Sequence, residues 1–417
     1  MKKKTKQKTT APEQAENFSL QTSRFSIPRL RFPEFRDKGE WTDKPLGNIC
    51  EVLNKRRVPI TTKDRKPGPY PYYGASGIVD YVDDYIFDER LILVGEDGAK
   101  WKAFENTAFV AEGKYWVNNH AHVLRSVELI DTLLECYLVR TDVGLYVTGA
   151  APPKLTLAKL KKIPVPVPLN LAEQKKIAEC LSSLDELIEA EGRKLIALRD
   201  HKKGLMQKLF PQPGETQPRL RFSEFRDKGE WKNKTLGEVA DYENGKAHEQ
   251  NIDKHGKYIV VNSKFISTEG EAIKYSNSLN LAANKGDILM VLSDVPNGRA
   301  IARCFLVDED DTYTVNQRIC KITAKSAVSV LLFYILDRNT YFLAFDDGVK
   351  QTNLKKEDVL QCPILLPKDE DEQQRIAECL SALDTQITAQ ATKIETLKQH
   401  KRGLMQQIFP VPEEVEA

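Results

Sequence analysis

Residues 170–211 occur twice in this chain, and that duplication limits the fold more than any other feature. The first copy opens Asn170-Leu171-Ala172-Glu173-Gln174 and ends at Phe210-Pro211. At alternating steps of four and three it reads Ile177, Leu181, Leu184, Ile188, Glu191, Leu195, Leu198, Lys202, Leu205, Leu209. This is a heptad seam, apolar except at Glu191 and Lys202. The second copy lies 199 positions on: Ile376, Leu380, Leu383, Ile387, Gln390, Ile394, Leu397, Lys401, Leu404, Ile408. Asn170 with Glu173, and Asp369 with Glu372, predict capping boxes. Pro211 and Pro410 mark the ends. A helix of about 40 residues is roughly 60 Å long, more than one small core needs, so each copy predicts a spacer or a partner-binding rod. The polar interruptions match, Glu191 with Gln390 and Lys202 with Lys401, and read as register devices. Parallel in-register pairing would set Lys202 against Lys401. An antiparallel pair avoids that repulsion and puts the intervening regions at opposite ends of the rods.

A second element repeats at a spacing of 190: Arg29-Leu30-Arg31-Phe32-Pro33-Glu34-Phe35-Arg36-Asp37-Lys38-Gly39-Glu40-Trp41 returns as Arg219 to Trp231 with Ser223 in place of Pro33. Such near-identity marks internal duplication. The difference between the two spacings makes the second intervening region about nine residues longer. The constant elements are copied, and the inserts between them have diverged.

With 417 residues, 41% hydrophobic and 29% charged, the chain has room for two to three ordinary globular domains. No apolar run approaches the ~18–20 residues of a membrane span. The basic start, Met1 to Lys8, lacks the apolar region of a signal peptide. Residues 1–24 are read as a disordered basic tail. The seven cysteines form no C-x-x-C pair, which points to reduced thiols and no structural zinc. The net charge of +2 leaves room for a basic face on one side.

The first insert reads as a short helix at Leu46–Val52, then a tyrosine- and glycine-rich turn leading into a strand over Tyr70–Val82. A buried strand at Leu91–Val94 follows, running into the polar turn Gly95-Glu96-Asp97-Gly98. Further strands fall at Ala108–Val110 and Tyr115–Val117, a helix at Leu133–Leu138, and a loop at Gly149–Leu155. The proline-rich Ile163–Pro168 is read as a stiff lead into the long helix. The second insert follows the same plan, with Gly286–Asp294, Tyr313–Gln317 and Gly348–Leu354 at matching places, and Pro363–Pro367 leading into the second helix.

Catalytic signatures are missing. No G-x-x-x-x-G-K-[ST] occurs. Ala151-Pro152-Pro153-Lys154 lacks both ends of the tetrapeptide of amino-methyltransferases. Glu112-Gly113-Lys114 matches only the tail of a nuclease motif. Asn119-His120-Ala121-His122 could turn two imidazoles to one side of a strand, but no third ligand repeats nearby, so the pair is read as the polar face of a binding edge. Gly74-Ala75-Ser76-Gly77 is not a nucleophile elbow. Neither a catalytic site nor a cofactor or metal site is expected.

What the inserts do carry is polar strand ends at equivalent positions: Asn118, Asn119, His120, His122 and Lys154 in the first, and Ser263, Lys264, Asn297, Arg299, Asn316, Gln317, Arg318, Lys350, Gln351, Thr352 and Asn353 in the second. Arg and Lys suit guanine edges, Asn and Gln suit adenine edges, and others can hold phosphates without reading sequence.

The order of these modules resembles the specificity subunit of type I restriction-modification systems. The resemblance is carried by the two Ile-Ala-Glu-Cys-Leu-Ser helices with their His-Lys-(Lys/Arg)-Gly-Leu-Met-Gln ends, by Tyr72-Tyr73-Gly74-Ala75-Ser76-Gly77, by Gly95-Glu96-Asp97-Gly98-Ala99 and by Gln351-Thr352-Asn353-Leu354. Tyr73 and Ser76 thereby join the DNA-contacting candidates. The resemblance implies an α+β chain of two homologous α/β target-recognition domains, residues 25–168 and 212–367. Two long antiparallel coiled-coil helices, 169–211 and 368–410, separate them with pseudo-two-fold symmetry, and a C-terminal tail follows at 411–417. It implies duplex DNA as partner, each domain reading one half of a split site. The pseudo-two-fold geometry predicts half-sites about one helical turn apart, near 10 base pairs centre to centre, and the diverged inserts predict that the two halves differ. The resemblance also implies two methyltransferase subunits bringing S-adenosylmethionine chemistry to adenine, restriction subunits for cleavage, no membrane, and a cytoplasmic setting. None of those activities belongs to this chain itself. The alternative is a duplicated coiled-coil scaffold without DNA specificity.

Overall fold

The structure is a computed structural model that describes residues 27–149, 152–295 and 298–410. The expected tails at 1–24 and 411–417, and Asn297, lie outside the described residues. The chain divides into two compact units, 1–192 with 392–417, and 193–391.

In the first unit the order is β1 (Thr42–Pro45), α1 (Leu46–Ile49), β2 (Cys50–Val52), β3 (Pro67–Gly74), β4 (Gly77–Val82), β5 (Phe87–Asp88), β6 (Leu91–Gly95), β7 (Ala108–Ala111), β8 (Lys114–Val117), β9 (Ala121–Ser126), α2 (Asp131–Arg140), α3 (Leu157–Leu160) and β10 (Pro164–Val167), followed by the helix α4 (Leu171–Leu209). Two four-stranded sheets result, in the orders β2-β9-β6-β7 and β4-β3-β8-β5. Every pairing is antiparallel except β3 with β8. Strand β6 is buried on both faces: Ile92 and Val94 enter one core, Leu91 and Leu93 the other. Successive strand residues point to opposite sides, so a continuous apolar run is what a strand between two layers requires.

The second unit repeats the plan as β11 (Lys232–Thr235), α5 (Leu236–Val239), β12 (Ala240–Asn244), β13 (Tyr258–Val261), α6 (Ser263–Ser267), β14 (Tyr275–Ser276), β15 (Ala282–Ala283), β16 (Ile288–Val291), β17 (Ser293–Asp294), β18 (Cys304–Leu306), β19 (Tyr313–Val315), β20 (Ile319–Ala324), α7 (Ser329–Leu336), α8 (Thr340–Leu343), β21 (Thr352–Asn353), α9 (Lys356–Leu360) and β22 (Pro363–Leu366), followed by α10 (Glu370–Ile408). Its sheets run β12-β20-β16-β18 and β14-β13-β19-β15, with β13 parallel to β19. On β16, Ile288 and Met290 face one core while Leu289 and Val291 face the other.

Three sequence expectations need correction. The proline-rich leads are strands: β10 pairs with β1 from Thr42↔Val167 to Pro45↔Pro164, and β22 pairs with β11. A two-stranded ladder always has free edges, and an edge tolerates prolines that donate no hydrogen bond. The tyrosine-rich segment is strand β3 rather than a turn. The chain reverses only at Ala75-Ser76, with Gly77 at φ +130°. The capping boxes are half formed. Asn170 Oδ1 accepts from the Ala172 amide at 2.8 Å, and Asp369 Oδ1 from the Asp371 amide at 3.1 Å. Their glutamates are engaged elsewhere.

Glu173 is buried and accepts from Arg31 Nε at 2.7 Å, Arg31 Nη2 at 2.8 Å and Trp41 Nε1 at 3.2 Å. Arg31 Nη1 donates to the Gly39 carbonyl at 2.6 Å, and Gly39 has φ +82°. In the other unit Glu372 takes the same bonds from Arg221, both at 2.7 Å, and from Trp231 Nε1 at 3.3 Å. The constant element therefore exists to grip the first turn of the long helix. A bidentate guanidinium–carboxylate pair fixes orientation as well as distance.

Both long helices span 39 residues, about 58 Å at 1.5 Å per residue. Within the first unit Asp185 pairs with Lys401 and Glu191 with Lys393. The number on α4 rises while that on α10 falls, so the pairing is antiparallel. Within the second unit Lys202 Nζ lies 2.5 Å from Asp384 Oδ1. The helix ends enter the cores: Ile177, Leu181, Met405 and Ile408 in one, Leu209, Ile376 and Leu380 in the other. Each such side chain is worth ~1.5–3 kcal/mol when fully buried.

Candidate nucleic-acid interface

The parallel strand pair builds the same polar edge in each unit. Where β3 and β8 end, the Asn118 amide donates to the Tyr73 carbonyl at 3.1 Å; where β13 and β19 end, the Asn316 amide donates to Val261 at 3.1 Å. Each asparagine then closes its own turn, Asn118 Oδ1 accepting from the His120 amide at 2.8 Å and Asn316 Oδ1 from the Gln317 amide at 2.6 Å. Next, Glu96 N–H donates to His120 O at 2.8 Å, and Leu292 N–H to Arg318 O at 2.9 Å. Finally Leu155 N–H donates to Glu96 O and Leu354 N–H to Leu292 O, both at 2.8 Å. Three loops distant in sequence are thus sewn together twice by identical backbone bonds, while the side chains on them differ.

In the first unit the edge is charged, and Glu96 is its hub. Its carboxylate accepts from Arg57 Nη1 at 2.6 Å and Lys154 Nζ at 2.8 Å, and His122 Nδ1 stands 3.6 Å away. Burial pushes the Glu96 carboxyl up, but hydrogen bonds from Arg57 and Lys154 outweigh it and hold it below its ordinary value. Asp97 holds His120 and bridges to Lys154. The hairpin turn closes over this edge. A side chain at Gly95 would meet the Ala75 carbonyl at 2.8 Å, and Asn106 Nδ2 donates to Ser76 O at 2.7 Å.

In the second unit the matching loops are joined by neutral side chains. Gln351 Nε2 donates to Ser293 Oγ at 2.7 Å, and β17 pairs with β21 through Ser293↔Asn353. Ser263, Lys264, Asn316, Gln317 and Arg318 line one groove together with Glu271 and Lys274. Lys264 sits on α6, whose start Asn262 caps by accepting from the Phe265 amide at 3.0 Å.

Exposed at these edges are Ser76, Asn119, His120, Lys264, Arg299, Gln317, Arg318, Lys350, Gln351 and Asn353, with Lys154, Ser263 and Asn316 partly so. Four candidates are turned inward or into the core. His122 is 1% exposed, with Nε2 2.7 Å from Leu155 O and Nδ1 2.9 Å from Asn54 Nδ2. It holds the Lys154 loop rather than sharing a face with His120, because His120 lies in the turn before β9 begins. Asn118 is spent on its turn. Tyr73 packs on Phe109 and Tyr115, ring centroids 5.5 Å from each. Thr352 is buried, and its hydroxyl has no hydrogen-bond partner among the described residues. Arg57 and Lys274 were not singled out from sequence, and Glu96 was read only as part of the polar turn Gly95-Glu96-Asp97-Gly98. For Glu96 the signal was present in its place just after the buried strand, whereas Arg57 stands in a loop without a pattern.

No group of His, Cys, Asp or Glu among the described residues could hold a metal ion, and all seven cysteines are free. No helix among them is long and apolar enough to cross a membrane.

Comparison with known proteins agrees with this duplication. The model of the type I restriction modification DNA specificity domain matches residues 38–199 and again 228–399. A putative type I restriction enzyme specificity subunit of Haemophilus influenzae is 37% identical over 150 residues, an alignment spanning 36% of this chain and 38% of that protein's length. The specificity subunit of the type I restriction enzyme MjaVIII of Methanocaldococcus jannaschii is 24% identical over 408 residues, 90% of this chain and 92% of that protein. The fold is similar to the crystal structure of a type I restriction-modification S subunit from M. genitalium, at TM-score 0.62 and 16% identity, over 92% of this chain and 99% of that one. A chain from a structure of type I R-M complex assembly and conformational transition matches at TM-score 0.51 and 17% identity, over 90% and 98%. Two matched domains, each built on the same stitched edge, place this chain in the type I restriction modification DNA specificity family.

Proposed function

We infer that this chain is the sequence-specificity subunit of a type I restriction-modification complex, binding a bipartite, asymmetric DNA site. The observation that carries the reading is the edge built twice by the same backbone bonds and furnished with different side chains. One scaffold presenting two chemistries suits two unlike half-sites, and the ends of rigid strands are where base-contacting residues can be held in register. Residues 25–168 and 212–367 are the two readers, with Ser76, Asn119, His120 and Lys154 facing one half-site and Ser263, Lys264, Arg299, Asn316, Gln317, Arg318, Lys350, Gln351 and Asn353 the other. The helices at 169–211 and 368–410 set the distance between them. Two methyltransferase subunits supply S-adenosylmethionine chemistry on adenine, restriction subunits join for cleavage, and the complex works in the cytoplasm.

A gel-shift selection from random duplexes, with and without the methyltransferase partner, tests this. The reading expects enrichment of two short conserved blocks separated by a fixed unconserved gap. A scaffold without DNA specificity would enrich nothing in either arm.

A further inference from the structure

Strand β4 departs from the inside–outside pattern of the sheets around it. Ile78, Val79 and Tyr81 are 47%, 55% and 51% exposed, three large apolar side chains within one six-residue strand. They lie on the outer strand of the sheet β4-β3-β8-β5, in a hairpin joined through Gly74↔Gly77. That hairpin is continuous with the polar edge. A side chain at Gly74 would meet Val79 Cγ1 at 2.8 Å and Asn118 Nδ2 at 3.5 Å, so Val79 covers the bare backbone right beside the Asn118 turn.

The segment leading into the hairpin is strongly basic. From Asn54 to Lys66 six residues are Lys or Arg and one is acidic. Arg56, Arg57 and Arg65 are held by Glu89, Glu96 and Asp80, whereas Lys55, Lys63 and Lys66 stand exposed. Lys66 O accepts from the Asp83 amide at 3.0 Å, which ties this cationic run to the hairpin's base. Among the described residues the second unit has no such ribbon: α6 follows β13 directly, and β14 is two residues long.

Apolar side chains flanked by exposed lysines suit a polyanion with apolar groups inside its groove. The major groove admits a two-stranded ribbon, and its one apolar mark is the thymine C5 methyl. We propose that the β3–β4 hairpin enters the major groove of the half-site read by the first unit, and that Ile78 and Val79 read thymine there through its methyl group. Lys63 and Lys66 hold the flanking phosphates. This rests on the DNA-reading function inferred above.

The test uses the full chain with its methyltransferase partner and duplexes carrying the mapped site. Each thymine of the site is replaced singly by deoxyuridine, which removes only the methyl. The wild-type complex loses about fourfold in affinity at one or two thymines of the first half-site, the worth of a buried methyl, and each of those losses disappears in Val79→Ser, in Ile78→Ser or in both. Deoxyuridine substitutions that are all neutral, or whose effect persists in both variants, overturn the proposal. So does a first half-site without an A·T pair. Variants that fail to assemble with the partner would instead make β4 a protein-docking strand, which also overturns it. Failure of the underlying DNA-reading function is separately visible as a wild-type complex without sequence preference.

Discussion

Lys401 of α10 reaches Asp185 of α4, its Nζ 2.5 Å from Oδ1. The second unit makes the same bond with the helices exchanged, Lys202 to Asp384. A lysine on an apolar seam costs stability unless an anion is at hand, and each anion lies one residue past a seam leucine. The pair thus favours one register and one direction over others. Half-exposed pairs of this kind contribute ~0.2–1 kcal/mol. Lys401→Asp should lower the urea midpoint of unfolding, and adding Asp185→Lys should restore most of the loss. A double variant no better than the single would remove the register role.

Arg31 and Glu173 are a different case, because both are buried. Arg31→Ala strands a carboxylate in the core beside Trp41. Breaking a buried pair from one side costs about 3–5 kcal/mol, so this substitution should destabilise far more than Lys401→Ala. Arg221→Ala should act alike in the second unit. Chemical denaturation of the three variants under one condition gives the ranking.

Acid should loosen the first unit through His122. Burial pushes its imidazole below the ordinary 6.5, while the hydrogen bond to Leu155 works the other way. Because the folded value is the lower one, an unfolded imidazole takes its proton first as pH falls. The stability is whole above 6.5 and is lost progressively below it. Glu96, held below its ordinary 4.5, adds a loss in the same direction at more acid pH. Asp43, pushed up by burial to about 6, takes its proton first in the folded state and works the other way in the same range. The test is therefore a difference: between pH 7 and pH 5 the melting temperature of His122→Gln, neutral throughout, should fall less than that of the wild type. An equal fall in both proteins would exclude His122 as the cause.

These residues show where reading from sequence succeeds and where it stops. The heptad seam was legible because its period is local, and Lys202 and Lys401 stood out against it. Glu173 had the spacing of a capping box, and its actual partner lies 142 positions away; local spacing carries no sign of that. Pro164–Val167 has the dihedral preferences of an extended rod, and only pairing with β1 makes it a strand. The polar edges were legible as strand ends repeated in two inserts. Which side chain faces out was not, since His120 and His122 differ only in that a turn separates them.

Gln317 and Arg318 stand exposed on the groove of the second unit. If they read bases, replacing either with alanine should cost about 1–3 kcal/mol of discrimination and relax preference in one half-site only. If Lys264 holds a phosphate, Lys264→Ala should weaken binding evenly across sequences. Selection from random duplexes with each variant complex separates the outcomes. Relaxation of both half-sites together would contradict independent readers.

The most direct test removes one heptad from each helix, 192–198 and 391–397, and maps methylated sites in a genome carrying the variant. Seven residues are about 10.5 Å of helix, some three base pairs of duplex at 3.4 Å each. Helices that act as a ruler predict the same two half-sites with a shorter gap, or no recognition at all. Methylation at sites with the original gap would contradict the account.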